Sequence, residues 1–477
     1  MQVKLSDNLN RHMQLMKRLV DMLDKDFDYV SILGTDVSSR VYSVRTTGES
    51  VQDFQYFLEC GYVVRVYNGR NYSEHSFNEF SEALLKGIYE DILAVGQAKF
   101  QRLKKEGMPI NGYAKLEEAF VQKAFHSELE IEPATVTAQE KLEKLTAIMH
   151  KGLKMSNELV DVRVSYHETQ VSKVFISKNK ELSQSYTYTN GLIVPLAKRG
   201  NNVQYSFDTI SGLKGVELLD ELEEKCQGVV DEAIALLDAE RVEPGEYDII
   251  CNPKVTGVIA HEAFGHGVET DMFVKDRAKA PEYMNKQVAA PMVTMKDGVK
   301  SYPCPSSYFF DDEGTIGNDT VIIQDGMLKS GISDILSANV LETKPTGNGR
   351  RESFERKAYA RMTNTYFESG KDELSDMIAS IKHGYLLENI RSGMEDPKNW
   401  GIQVVVHLGR EIKDGKLTGK IISPVFLTGY VPELLQSITM MSKDFELSGS
   451  GACGKGHKEV IKTTDGGPYI KAKGRLA

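Results

Sequence analysis

The sequence predicts an α+β chain in two parts: a mixed α/β region over residues 1–240 and a mostly β region over residues 241–477. Three observations carry this. At 477 residues the chain exceeds one core, since single cores stop growing at about 250–300 residues. Helical and strand periodicities alternate through the first half. After Pro244 and Gly245 glycine becomes denser, strands shorten, and Asp-Gly pairs separate the apolar runs.

The opening residues, MQVKLSDNLNRHMQLMKRLV, mix charge with apolar residues at helical spacing and lack an apolar h-region with a small-residue cleavage site. They read as a structural helix over residues 9–23. Strands follow in VSILGTDVSSRVYSVRTTG and YVVRVYNGRNYSEHSF, then a helix over residues 78–104. The order recurs with a helix over 138–153, strands in VDVRVSYHETQVSKVFISKN and LSQSYTYTNGLIVPLAKRGNNVQYSFD, and a helix over 215–239. Offset by roughly 130 residues, helix meets helix and strand meets strand, as an internal duplication predicts. Residue identity between the segments is poor, so plain α/β alternation is the competing explanation. Neither segment clusters His, Cys and carboxylates, and residues 1–240 read as scaffold or a guiding surface.

In the second part, candidate helices lie at 255–266, 372–384 and 431–441. Turns are expected at Asp297–Gly298, Asp325–Gly326 and Asp414–Gly415. The net charge of −10 and pI of 5.6 argue against an extended phosphate-binding surface, so no nucleic-acid partner is expected. No apolar run reaches the length of a membrane span. Five widely spaced cysteines, Cys60, Cys226, Cys251, Cys304 and Cys453, form no disulfide framework and fit a reducing cytoplasm.

Chemistry begins in CNPKVTGVIAHEAFGHGVETD, where a strand end, a turn and a helix carry His261, Glu262 and His266. In the common zinc hydrolase arrangement two histidines four residues apart share a helical face, and the glutamate after the first meets the activated water. Here the spacing is HExxxH. Five residues at about 100° each leave the rings roughly 140° apart on a regular α-helix, too far for one ion. A π-type turn would realign them, and Gly265 and Gly267 lower the resistance to that distortion. A chance pair of histidines capping or packing a helix is the simpler alternative. A third donor lies in SGSGACGKGHKE, where Cys453 sits among small residues in a polar, flexible setting unlike that of a core cysteine. It competes with an incidental surface thiol and with His457. Two histidines and a thiolate would leave a fourth zinc position open, as catalytic sites require.

These residues, with HEAFGHGVETD at 261–271, DDEGT at 311–315, GNGRRESFERKAYARMTNTYFESG at 347–370 and ACGKG at 452–456, resemble the TldD/PmbA (TldD/TldE) metallopeptidase family. Its TldD-type, metal-binding members carry HExxxH, which the non-catalytic TldE/PmbA partners lack. The resemblance implies Zn²⁺ held by His261, His266 and Cys453, and Glu262 as the catalytic base. It also implies a two-domain dimer, formed with a TldE/PmbA-like partner or a second copy, that admits extended peptides to an enclosed cavity. One stretch departs: residues 391–403 read RSGMEDPKNWGIQ where the family has a glycine-rich GGGQVD-like segment, so this loop is expected to line the substrate path differently.

The expected function is a zinc-dependent peptidase cleaving unstructured peptides, Glu262 acting as general base on zinc-activated water. Arg350, Arg351 and Arg361 are candidates for oxyanion stabilisation, but an ion-pair network is the stronger reading. Thr363, Asn364 and Thr365 are expected to offer backbone to a substrate strand. Asp311, Asp312 and Glu313 read as a solvated hairpin corner before a metal site. The alternative function is a non-catalytic peptide-binding or assembly subunit with a structural zinc completed by Cys251 or Cys304. A hydrolase acting through a nucleophile lacks any GxSxG elbow.

Overall fold

Ser6 caps the first helix, Asp7–Leu23, by accepting the Leu9 N–H, and the helix buries Leu9, Met16, Leu19 and Leu23. The computed structural model describes residues 1–53, 58–105, 112–456 and 459–477, without the side chains of residues 97–104. The fold is mixed α/β, as the sequence predicts. Among the described residues the first part forms one nine-stranded sheet whose central path runs Tyr72–Phe77, Glu59–Tyr67, Tyr29–Arg45, Leu159–Ser177, Lys180–Arg199, Val121–His126.

The two segments of similar plan meet at the centre of this sheet. Strands Tyr29–Arg45 and Leu159–Ser177 pair antiparallel with Val37 opposite Val171. Helices Asp7–Leu23 and Ala138–Leu153 cover the same face, because alternate residues Val30, Ile32, Tyr42 and Val44 of the first strand point to it. Thr137 and Glu140 form a capping box at the second helix. The helix expected over 215–239 is broken into Leu218–Glu224, Cys226–Ala235 and a final 3₁₀ turn.

The opposite face, carrying Leu33, Phe175, Val37 and Val171, packs on Phe310, Tyr308 and Val299 of the second part. Buried ions seal this junction. Arg65 donates to Glu313 at 2.5 Å, Lys173 pairs with Asp312, and Arg351 pairs with Glu74. The DDEGT turn is therefore a buried joint and not a solvated corner. Asp311 is 1% exposed and accepts the N–H groups of Glu313, Thr315 and Gly349, while Asp312 and Glu313 are occupied by cations from the other part. None of the three joins a metal-ligand cluster.

Among the described residues the second part is built on an eleven-stranded sheet with strand Thr464–Leu476 near its middle. Helix Pro253–Ala260 lies directly on that strand. A Cβ on Gly257 would stand 2.5 Å from the Gly466 nitrogen, so glycine at this crossing sets the distance between the two elements. Two helices are shorter than expected, Leu374–Ala379 and Val431–Gln436, because the following residues are drawn into sheet pairing. From His383 the chain joins strand Gly245–Cys251, and from Met440 it joins the C-terminal strand. Asp325–Gly326 and Asp414–Gly415 are left-handed turn pairs, with φ of 50° and 78° and of 48° and 75°. Asp297–Gly298 instead ends a strand: Asp297 is fully buried and accepts from Thr363, Thr365 and Asn348.

Candidate metal centre

Asn252 caps helix Pro253–Ala260 by accepting the Val255 N–H, and Pro253 supplies the fixed φ of its first turn. At His261 the helix widens. Residues His261–Gly265 form a π turn, and the His266 N–H reaches back five residues to the His261 carbonyl. The two imidazoles come to one face with ring centroids 5.1 Å apart. Gly265 packs against Met362 with no room for a side chain.

Cys453 arrives from the other end of the chain, on the hairpin Ala452–Lys455 and Glu459–Lys462, directly opposite Ile461. It is 5% exposed, so the flexible, polar setting expected of it is corrected for the thiol itself, while Gly451, Ala452 and Gly454 beside it are exposed. Its Sγ lies 3.2 Å from His266 Nε2, and the ligand atoms of His261, His266 and Cys453 all lie within 4.8 Å of one another. Two nitrogens and a sulfur around one tetrahedral zinc would stand about 3.3–3.5 Å apart, given bonds of about 2.0 and 2.3 Å. The donor set fits such an ion after small side-chain adjustment. Burial alone pushes the Cys453 thiol up, but His261 and His266 outweigh it and hold the thiol well below its usual range.

Sequence reasoning missed the residues that hold these donors. His266 Nδ1 lies 3.2 Å from Glu269 Oε2, one helical turn on, and that spacing was the available signal. Burial raises the Glu269 carboxyl, yet Lys455, His266 and Arg361 together hold it well below the usual carboxylate range. Lys455 Nζ stands 3.0 Å from Glu269 and 2.5 Å from Asp271. Arg361 Nε is 3.4 Å from Glu269, while its other nitrogens donate to the carbonyls of Cys453 and Glu459 at 3.0 and 2.8 Å. Arg361 therefore belongs to an ion-pair network tying the cysteine hairpin to the histidine helix. Arg351 serves the interdomain joint, and Arg350 donates to the Met362 carbonyl at 2.6 Å.

His261 Nδ1 is buried without a hydrogen-bond partner, 3.7 Å from Asp465 Oδ2. Glu262 lies on the π turn against Gly393, whose missing side chain makes room for it: a Cβ there would stand 2.6 Å from Glu262 Cγ. Thr363 to Thr365 offer no free edge, because strand Asn364–Phe367 is paired with Met295–Gly298 on one side and with the C-terminal strand on the other. Cys251 and Cys304 are outside the donor cluster, and His457 lies outside the described residues.

The fold and donor set acquire a family when compared with known proteins. Residues 244–474 match the PmbA/TldA metallopeptidase C-terminal domain. The chain carries the C-terminal domain of the PmbA/TldD family. Among PmbA/TldD relatives, a protein named metalloprotease from Methanothermobacter thermautotrophicus is 28% identical over 347 residues, 72% of this chain and 75% of that one. A zinc metalloprotease TldD homolog from Saccharolobus solfataricus is 32% identical over 230 residues, 48% of this chain and 51% of its own. TldE from Thermococcus kodakarensis shares the fold, with a TM-score of 0.74 over 97% of this chain and 99% of that one, at 18% identity. No helix among the described residues is long and apolar enough to cross a membrane.

Proposed function

We propose that this PmbA/TldD chain is a TldD-type, zinc-dependent peptidase of the cytoplasm that cleaves unstructured peptides. The observation that carries the reading is the convergence of two imidazoles and a thiol across a π turn that also bears Glu262. His261, His266 and Cys453 would hold the ion. When bound, zinc would supply Lewis acidity toward the scissile carbonyl and toward an attacking water, whose pKa it would bring toward about 7.

The remaining steps belong to the chain's own groups. Glu262 accepts a proton as the water oxygen attacks the carbonyl carbon, and returns it to the amide nitrogen as the C–N bond breaks. Gly393 leaves Glu262 the space to do so. Glu269 accepts from His266 Nδ1–H, which fixes the tautomer whose Nε2 faces the thiol. Arg361 and Lys455 hold the cysteine strand in register with the histidines.

Access is restricted by a dimer with a TldE/PmbA-like partner or a second copy, the peptide entering an enclosed cavity in extended form. The alternative, an assembly subunit with a structural zinc, calls for four protein ligands, and the described residues offer three. The test is zinc per chain together with turnover of an unstructured peptide, with and without chelator. Stoichiometric zinc and chelator-sensitive cleavage support the peptidase. Zinc without cleavage, alone or with a TldE-type partner, refutes it.

A further inference from the structure

The departing loop at 391–403 carries a group the mechanism above does not use. Strand His383–Asp396 faces the histidine helix through Gly393, and two residues on Glu395 points the same way. Its carboxyl packs against the turn just after His266: a Cβ on Gly267 would stand 3.0 Å from Glu395 Oε1 and 3.8 Å from Trp400 Nε1. Both Glu395 oxygens are buried without a hydrogen-bond partner, and so is the Trp400 indole nitrogen. Its electrostatic neighbours are His266, Glu262, Glu269 and Asp396.

An unpartnered buried carboxyl costs several kcal/mol by its usual magnitude, and a fold keeps one only with a compensating role. The surrounding loop is built to hold it. Trp400 has left-handed backbone, φ 59°, and is fully buried among Phe264, Tyr283 and Tyr430. Its backbone N–H donates to the Asp396 carbonyl at 2.7 Å, and the Asp396 carboxylate accepts the backbone N–H groups of Lys398 and Asn399. A strained, over-determined turn beside reactive residues is where such strain is found. The nearby cations are already engaged, Lys455 and Arg361 with Glu269. No cation among the described residues hydrogen-bonds to either Glu395 oxygen.

We propose that Glu395 forms a binding position for a substrate ammonium group beside Glu262, taking either the free amino terminus of a peptide or a lysine side chain next to the cleaved bond. The inference rests on the peptidase reading and adds a substrate class to it. An ammonium fits because both Glu395 oxygens are acceptors without a partner, with Glu262, Glu269 and Asp396 around them and His266 as the opposing charge.

The experiment measures equilibrium binding of short peptides to zinc-loaded Glu262→Gln protein by calorimetry, beside turnover by wild type. The peptides are a parent with free amino terminus and one lysine, its N-acetylated form, and its lysine-to-norleucine form. Binding is expected to fall roughly 10–100-fold on loss of the responsible ammonium, the range for a hydrogen bond to a charged group. Loss on acetylation identifies the amino terminus, and loss on norleucine replacement identifies the side chain. Adding Glu395→Gln should abolish the preference while leaving affinity for the modified peptide unchanged. Equal binding of all three peptides, which needs no Glu395 variant, overturns the proposal, as does a preference that survives Glu395→Gln in protein with wild-type melting. Selective binding without wild-type turnover of any peptide would leave this site standing and remove the peptidase reading instead.

Discussion

Gly257→Ala isolates the contact that places His261. In an ordinary helix this exchange stabilises by about 0.8–1 kcal/mol, because alanine loses less conformational freedom than glycine. Here the added Cβ would sit 2.5 Å from the Gly466 nitrogen and 2.7 Å from its Cα, both backbone atoms of a strand paired along its length. No rotamer change relieves a clash with backbone. Overpacking of a well-filled core costs about 1–3 kcal/mol, and with a clash against backbone at the upper end of that range the variant should lose up to about 2 kcal/mol net of the propensity gain. The helix must also lift from the strand, and His261 lies one turn further along it. Urea denaturation of the zinc-free protein reads the first effect, and zinc competition with a chromophoric chelator reads the second. A variant as stable as wild type with unchanged zinc affinity would refute the account of how the helix is seated.

Other outcomes follow from the same geometry. Cys453→Ser and His266→Ala should each lower zinc per chain below wild type at limiting free zinc, read by metal analysis after dialysis. Glu269→Gln should weaken zinc affinity about 10–100-fold with the ligands intact, since it removes the charge behind His266. Chelation should lower the melting temperature, because zinc at about 100 times its Kd contributes about 2.7 kcal/mol to the native state. His407 gives a pH test away from the metal. Burial first, and Arg391 second, lower it to about 4, with Nδ1 accepting from Arg391 and Nε2–H donating to the Tyr205 carbonyl. Between about pH 6.5 and 4 the unfolded chain binds the extra proton, so up to about 3 kcal/mol of stability is lost as pH falls through that window. His407→Gln should flatten that slope in denaturation curves, and an unchanged slope would count against it.

The sequence made the centre legible because its signals are local or chemically rare. HExxxH cannot bind one ion on a regular helix, so the spacing itself required the π turn seen at His261–Gly265. The N-terminal alternation likewise placed helices Asp7–Leu23 and Ala138–Leu153 to within two residues. What stayed hidden depends on partners far along the chain. Asp297 looks like a turn residue until Thr363 and Thr365 surround it, and DDEGT looks solvated until Arg65 and Lys173 cover it. Helices 372–384 and 431–441 were overextended because sheet pairing with distant strands ends them early. Glu395 had no motif at all; only the departure of residues 391–403 from the family pattern marked its neighbourhood.

In the proposed mechanism Glu262 moves the proton while His261, His266 and Cys453 hold the metal. Glu262→Gln keeps the side chain's size and leaves the three donors untouched, so zinc per chain and melting temperature should match wild type. Peptide turnover should fall by about 10²–10⁴-fold, the range for loss of a general acid–base group. Metal analysis and turnover on the same preparation decide the matter. A fully zinc-loaded Glu262→Gln protein that still cleaves at near the wild-type rate would contradict the account.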